Sequence, residues 1–136
     1  MKLLVTVLVA LVAGASVQVQ PPDVEELRVR AEQANPSAQF SLGRMYRSVQ
    51  TWQLRIMVEA VRWYRLAADQ GYASAYFGLG SMYYYGRGVP EDHAEAVRWY
   101  RLAAEQGNLG SQRLLGVMYR DGEGVPVDYV LSYMWF

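Results

Sequence analysis

An all-α array of stacked helix pairs is the predicted fold class, on three observations. The stretch EAVRWYRLAA occurs twice, letter for letter, at residues 59–68 and 95–104, an offset of 36 residues that marks a stacked repeat. Within it, Ala60, Trp63, Tyr64, Ala67 and Ala68 fall on one stripe of an amphipathic helix, with Glu59, Arg62 and Arg65 off it. A Gly-rich turn, GRGVPED at 86–92 and GEGVPVD at 122–128, lies between the two helices of the second and of the third unit.

Taken in order, residues 1–15 read as a cleavable secretory leader. Lys2 is its charged start, Leu3 to Ala13 its apolar core and Ala13-Gly14-Ala15 an A-x-A cleavage site. The core is short of the roughly 20 residues a membrane span needs. The mature chain is expected to begin at Ser16 in the periplasm or medium, with 16–22 an extended leader around Pro21-Pro22. The repeat region then runs over 23–136: a half repeat at 23–35, repeats at 36–72 and 73–108, and an incomplete one at 109–136. In the half repeat, Ala31-Glu32-Gln33 matches Ala104-Glu105-Gln106.

The first helix of each full unit carries the stripe Ala38, Leu42, Gly43, Met45, Tyr46, repeated as Ala75, Leu79, Gly80, Met82, Tyr83 and as Ser111, Leu115, Gly116, Met118, Tyr119. Pro36 is placed at the first helical position. A mid-helix Gly costs about 1 kcal/mol in propensity, and its threefold recurrence predicts a close helix approach. The second helix ends at Gly71 or Gly107, expected left-handed. Arg65–Asp69 and Arg101–Glu105 are i,i+4 pairs. Trp63 and Trp99 are expected to be the largest buried residues of their units. Pro90 and Pro126 are suited to start the second helices. The first unit departs from the pattern: Ser48 to Met57, SVQTWQLRIM, has no Gly or Pro where the turn should be. It reads as an apolar insertion with a binding role, a continued helix or a compensated frameshift.

Composition excludes several classes. Thirteen basic and thirteen acidic residues balance, and removing the leader with Lys2, the only lysine, leaves 12 Arg against 13 acids, a charge of −1. No basic patch points to nucleic acid, and a membrane is met only through the leader before cleavage. With no cysteine, disulfides, zinc–thiolate sites and thiol nucleophiles are out. His93, the only histidine, has no triad-like setting and reads as a solvent-facing residue in the first turn of a helix, beside the helix-start acids Glu91 and Asp92. Asp121, Glu123 and Asp128 lack calcium-loop spacing and read as turn residues. The Gly-rich turn lacks the lysine and spacing of a P-loop. No catalytic, metal or cofactor-binding residue is assigned, and no cofactor is expected.

The unit A-x-x-x-L-G-x-M-Y, then G-x-G-V-P-x-D, then A-x-x-W-Y-x-x-A-A-x-Q-G resembles the Sel1-like repeat (SLR) family, relatives of tetratricopeptide repeats. The second unit fits best, through Leu79, Gly80, Met82, Tyr83, Gly86, Gly88, Val89, Pro90, Asp92, Ala96, Trp99, Tyr100, Ala103, Ala104 and Gly107. The resemblance implies an α/α solenoid of antiparallel helix pairs, a tetratricopeptide-like right-handed superhelix, and a non-catalytic scaffold or adaptor that holds protein partners. A cysteine-rich branch is associated with penicillin binding and β-lactam hydrolysis. It supplies the alternative of a cell-wall-related enzyme, for which this cysteine-free chain offers no nucleophile. The third unit stops at Trp135-Phe136, short of the family's A-A-x-Q-G, leaving an open apolar end through which self-association is a further expectation.

If the chain is a scaffold, its binding face is expected where the units differ. On the first helices these positions are Gln39, Tyr76 and Gln112; Ser41, Gly78 and Leu114; Arg44, Ser81 and Val117; and Arg47, Tyr84 and Arg120. First helices commonly line the concave side of such arrays, and Tyr and Arg are enriched at binding hot spots. Arg44, Arg47, Tyr76 and Tyr84 are therefore the candidate protein-binding face.

Overall fold

The structure is a computed structural model that describes residues 21–48 and 54–136. The leader, Ser16 to Gln20 and Trp52 lie outside the described residues. Among the described residues seven helices follow one another: α1 Pro21–Glu32, α2 Pro36–Ser48, α3 Leu54–Asp69, α4 Ala73–Tyr85, α5 His93–Glu105, α6 Leu109–Asp121 and α7 Tyr129–Trp135. Each packs on the next, so α2–α3, α4–α5 and α6–α7 form pairs and α1 covers the first of them. Among the described residues all regular structure is helical. α2 also touches α4, so these two first helices lie side by side on one side of the stack, termed its inner side.

Local chemistry sets the helix boundaries. Helix α1 begins at Pro21 rather than after an extended Pro21-Pro22, because a proline in the first turn forfeits no intrahelical hydrogen bond. The second helices are started by aspartates, not by Pro90 and Pro126. Asp92 accepts a hydrogen bond from Glu95 N at 3.0 Å, and Asp128 accepts one from Leu131 N at 2.9 Å. These side chains satisfy donors that the helix leaves open. Gly71 and Gly107 are left-handed, as their position after the helix requires, and Ala34 adopts the same conformation after α1 at φ 62°. Leu54 to Met57 are helical, which makes α3 16 residues long against 13 for α5.

The core is organised around tyrosine rather than tryptophan. Tyr64 and Tyr100 are the largest side chains with essentially no exposure; Trp63 is buried as expected, with 7% exposure, whereas Trp99 is half-buried. The cause is the glycine stripe. A Cβ on Gly43 would lie 2.6 Å from Tyr64 Cδ1, one on Gly80 2.6 Å from Tyr100 Cδ1, and one on Gly116 2.8 Å from Phe136 Cε2. Each ring lies against its glycine, so the line of closest approach between paired helices runs through the residue after the tryptophan. The predicted close approach is present in all three pairs.

Three kinds of contact join consecutive units. The Gln39 amide donates to Ala31 O at 3.0 Å and the Gln112 amide to Ala104 O at 3.0 Å. Arg65 donates to the Tyr83 hydroxyl at 2.5 Å, and Arg101 likewise to the Tyr119 hydroxyl. Thus both arginines reach across to the next unit instead of pairing with Asp69 and Glu105, an exchange that forgoes only a few tenths of a kcal/mol per exposed pair. Finally, the second glycine of each turn rests on the start of the preceding second helix. A Cβ on Gly88 would collide with the Met57 carbonyl, and one on Gly124 with the His93 carbonyl.

Candidate functional site

The inner face is built by α2, α4 and α6, and its chemistry follows from which residues the glycine stripe leaves facing inward. Neither α2 nor α4 contains an acidic residue. Arg44 is exposed, with its guanidinium carbon 5.9 Å from the Phe40 ring centre, a cation–π distance. Phe40 in turn lies 5.7 Å from Tyr64, centre to centre. Arg47 is half-buried near the end of α2. Burial pushes the Tyr64 phenol above its ordinary value, while Arg47 and then Arg44 pull it down. Tyr100 is also raised by burial, its hydroxyl donates to Ser81 Oγ at 3.3 Å, and Arg47 lowers it as well.

The other two predicted face residues lie elsewhere. Tyr76 occupies the position of Gln39 and Gln112, the joint between units. It stacks on Trp99 at 5.9 Å with planes 27° apart, and its hydroxyl lies beside Gly71. Tyr84 faces the turn of the third unit. Its hydroxyl donates to Glu123 Oε2 at 2.7 Å and its ring stacks on His93 at 4.7 Å, with planes 10° apart. His93 is thus half-buried under Tyr84 rather than free in solvent, and its Nε2 lies 3.2 Å from Glu91 Oε1. The structure therefore keeps Arg44 and Arg47 one turn apart on α2, Arg44 over Phe40, and sets Tyr76 and Tyr84 in packing between helices. Sequence reasoning missed Tyr64 as a group reaching between the first helices, whereas Ser81 stood among the variable first-helix positions. The available signal was the small residue at Gly78, which lets the fully buried Tyr64 ring pass between α2 and α4.

Tyr84 carries a testable consequence. Its bond to the Glu123 carboxylate, with burial adding, pushes its phenol up to about 12 from the usual 10. A folded-state value above the unfolded one means the contribution is fully present below pH 10. It is lost as pH rises from about 10 to 12. Tyr84→Phe is expected to lower the melting temperature at neutral pH and to flatten its decline across that alkaline window. Thermal melts by circular dichroism between pH 8 and 12 check this, and an unchanged alkaline slope contradicts it.

Among the described residues there is no group of three potential metal ligands, and no helix is long and apolar enough to cross a membrane. The geometry defines a class: an all-helical repeat array of antiparallel helix pairs around a continuous core. The family model of the Sel1 repeat matches residues 36–48, 57–72, 73–108 and 110–136, more than half of the chain, and the chain belongs to the Sel1 repeat family. It is similar to a protective antigen present in uropathogenic Escherichia coli strains that displays an SLR fold, with 43% identity and a TM-score of 0.74. That match covers 82% of this chain and 24% of the antigen, so the chain spans about a quarter of that protein. It is also similar to a Sel1 repeat protein from Oxalobacter formigenes, with 32% identity, a TM-score of 0.75 and 90% of each chain covered. No curated protein matches the chain. Sel1 repeats are generally protein-interaction scaffolds, and the fold is typically non-catalytic.

Proposed function

We propose that this chain is a non-catalytic scaffold that binds a protein partner outside the cytoplasm, along the inner face of α2 and α4. The observation that carries the reading is a division within the repeat. Positions that recur are buried, as with Leu42, Leu79 and Leu115, each at most 2% exposed. At a position that changes, Arg44, Ser81 and Val117 all keep solvent access on the inner side. A stack of units with one core and a different surface at each step supports recognition of an extended partner. The extracytoplasmic location rests on the sequence of residues 1–15, and a mature N-terminus at Ser16 in secreted material is its check.

The test is site-specific photo-cross-linking. p-Benzoylphenylalanine replaces Tyr85, 59% exposed at the end of α4, or Arg98, exposed on α5. A discrete polypeptide adduct is expected from position 85 and not from position 98. Equal labelling at both positions, or none at 85, counts against the scaffold reading.

A further inference from the structure

Helix α7 exposes a face that the earlier second helices keep covered. On α5 that face is the line His93, Val97 and Arg101, spaced four residues apart on one side of the helix. The turn of the next unit sits on the His93 carbonyl through Gly124, and Arg101 donates to Tyr119 of α6. Val97, between them, is 3% exposed and shares a buried cluster with Leu115 and Met118 of α6. Helix α3 repeats the line as Met57, Val61 and Arg65. Gly88 sits on the Met57 carbonyl, Arg65 donates to Tyr83 of α4, and Val61 is 7% exposed. The offset of 36 residues carries this line onto α7 as Tyr129 and Tyr133. There it is open: Tyr133 is 85% exposed, and Tyr129 is exposed as well. The exposed apolar area also spreads sideways. Met134 stands where the earlier units hold the solvent-facing cations Arg62 and Arg98.

A contiguous exposed apolar face marks an interaction site, and three observations select its occupant. The face continues the line along which units of this chain already stack. Residues 129–136, YVLSYMWF, hold no charged side chain, so the face meets a copy of itself across a two-fold axis without like-charge repulsion. A second copy also has little else to offer it. Each first helix, α2, α4 and α6, already lies between two second helices, and α1 at the other end of the stack exposes Glu26, Arg30 and Glu32. We propose that α7 is the interface of a symmetric dimer, with Tyr129, Tyr133 and Met134 packed against the same residues of a second copy. Tyr and Met are residue types enriched in such interfaces. Met134 belongs to the interface because a unit stacked as in the rest of the chain leaves that position in solvent, as Arg62 and Arg98 show, whereas a helix laid on α7 across the axis covers it. The inference is independent of the scaffold reading, whose face lies on α2 and α4.

The experiment is sedimentation equilibrium of the purified chain, with far-UV circular dichroism on the same samples. A reversible monomer–dimer equilibrium is expected. Tyr133→Arg with Met134→Arg is expected to weaken the dimer at least about hundredfold, as two cations are brought against their own copies. The helical signal should stay unchanged, since both side chains are exposed in the monomer. A second measurement maps the contact: p-benzoylphenylalanine in place of Tyr133, irradiated in the chain alone, is expected to give an adduct of twice the chain mass whose linked peptide comes from α7. A chain that is monomeric throughout, a dimer that survives the double substitution, or an adduct mapped to another helix overturns the inference. So does a series that grows beyond the dimer, because a two-fold pair closes on itself. Flotation with phosphatidylglycerol vesicles tests the other occupant of an apolar face. A monomeric chain that floats with the vesicles, and ceases to do so after the double substitution, would assign α7 to a lipid surface and sink the dimer.

Discussion

Gly124→Ala is expected to lower stability by roughly 3–5 kcal/mol, the sum of left-handed strain and a collision with backbone. Gly124 has φ 70°, and an added Cβ would enter the His93 carbonyl at the start of α5. Backbone hydrogen-bonded into a helix cannot give way as the end of a flexible side chain can, so the third unit must lift off the second. Gly107→Ala is the matched control. It has a similar conformation, φ 88°, with nothing within 4 Å of the added atom, so only the strain of about 1–2 kcal/mol applies. Urea unfolding followed by circular dichroism checks the order. Amide hydrogen exchange should show early loss of protection in α6 and α7 for Gly124→Ala alone, since neighbours in such a stack unfold separately. Equal losses for the two variants would refute the seating of the turn on α5.

Tyr64→Ala is expected to cost about 3–5 kcal/mol, as for a large aromatic fully removed from a packed core. The ring lies against Gly43 and Gly78 together, so its loss opens the joint between the first two units as well as the first pair. Trp99→Ala is expected to cost less, about 2 kcal/mol, because half-buried Trp99 removes less area from water. The comparison runs against the intuition that tryptophan anchors each unit. Melting temperatures and urea midpoints of the two variants decide it, and a Trp99→Ala loss at least as large as that of Tyr64→Ala would place the anchor at tryptophan after all.

Much of the fold was legible because the repeat writes each packing rule several times. The spacing of Gly43, Gly80 and Gly116 announced close helix approach, and Gly71 and Gly107 announced left-handed helix ends. Size pointed to Trp63 and Trp99 as the largest buried residues, which holds for Trp63 and fails for half-buried Trp99, and it gave no sign that the next residue lies on the closest line against the glycines. The binding face was less legible for a physical reason. Variation between units marks two different situations, a free surface and a joint whose two sides have changed together. Arg44 and Arg47 are of the first kind. Tyr76 stacks on Trp99 where the other units use Gln39 and Gln112 to reach a backbone carbonyl, so it is of the second. Tyr84 likewise answers Glu123. No spacing rule in a single sequence distinguishes the two, because the partner side chains are 23 and 39 residues away. Tyr64 escaped notice as a group reaching between the first helices for a related reason: its position is shared with Tyr100, and only the exchange of Ser81 for Arg44 leaves its hydroxyl unmatched among the described residues.

The seats of Gly88 and Gly124 also determine how this molecule would yield to a pulling force. Each turn is latched onto the helix before it, and the contacts between units reach only adjacent neighbours. Tension applied across the stack would not be shared by the whole core. It would concentrate at one latch, release that unit as roughly 120 Å of extended chain, and then load the next.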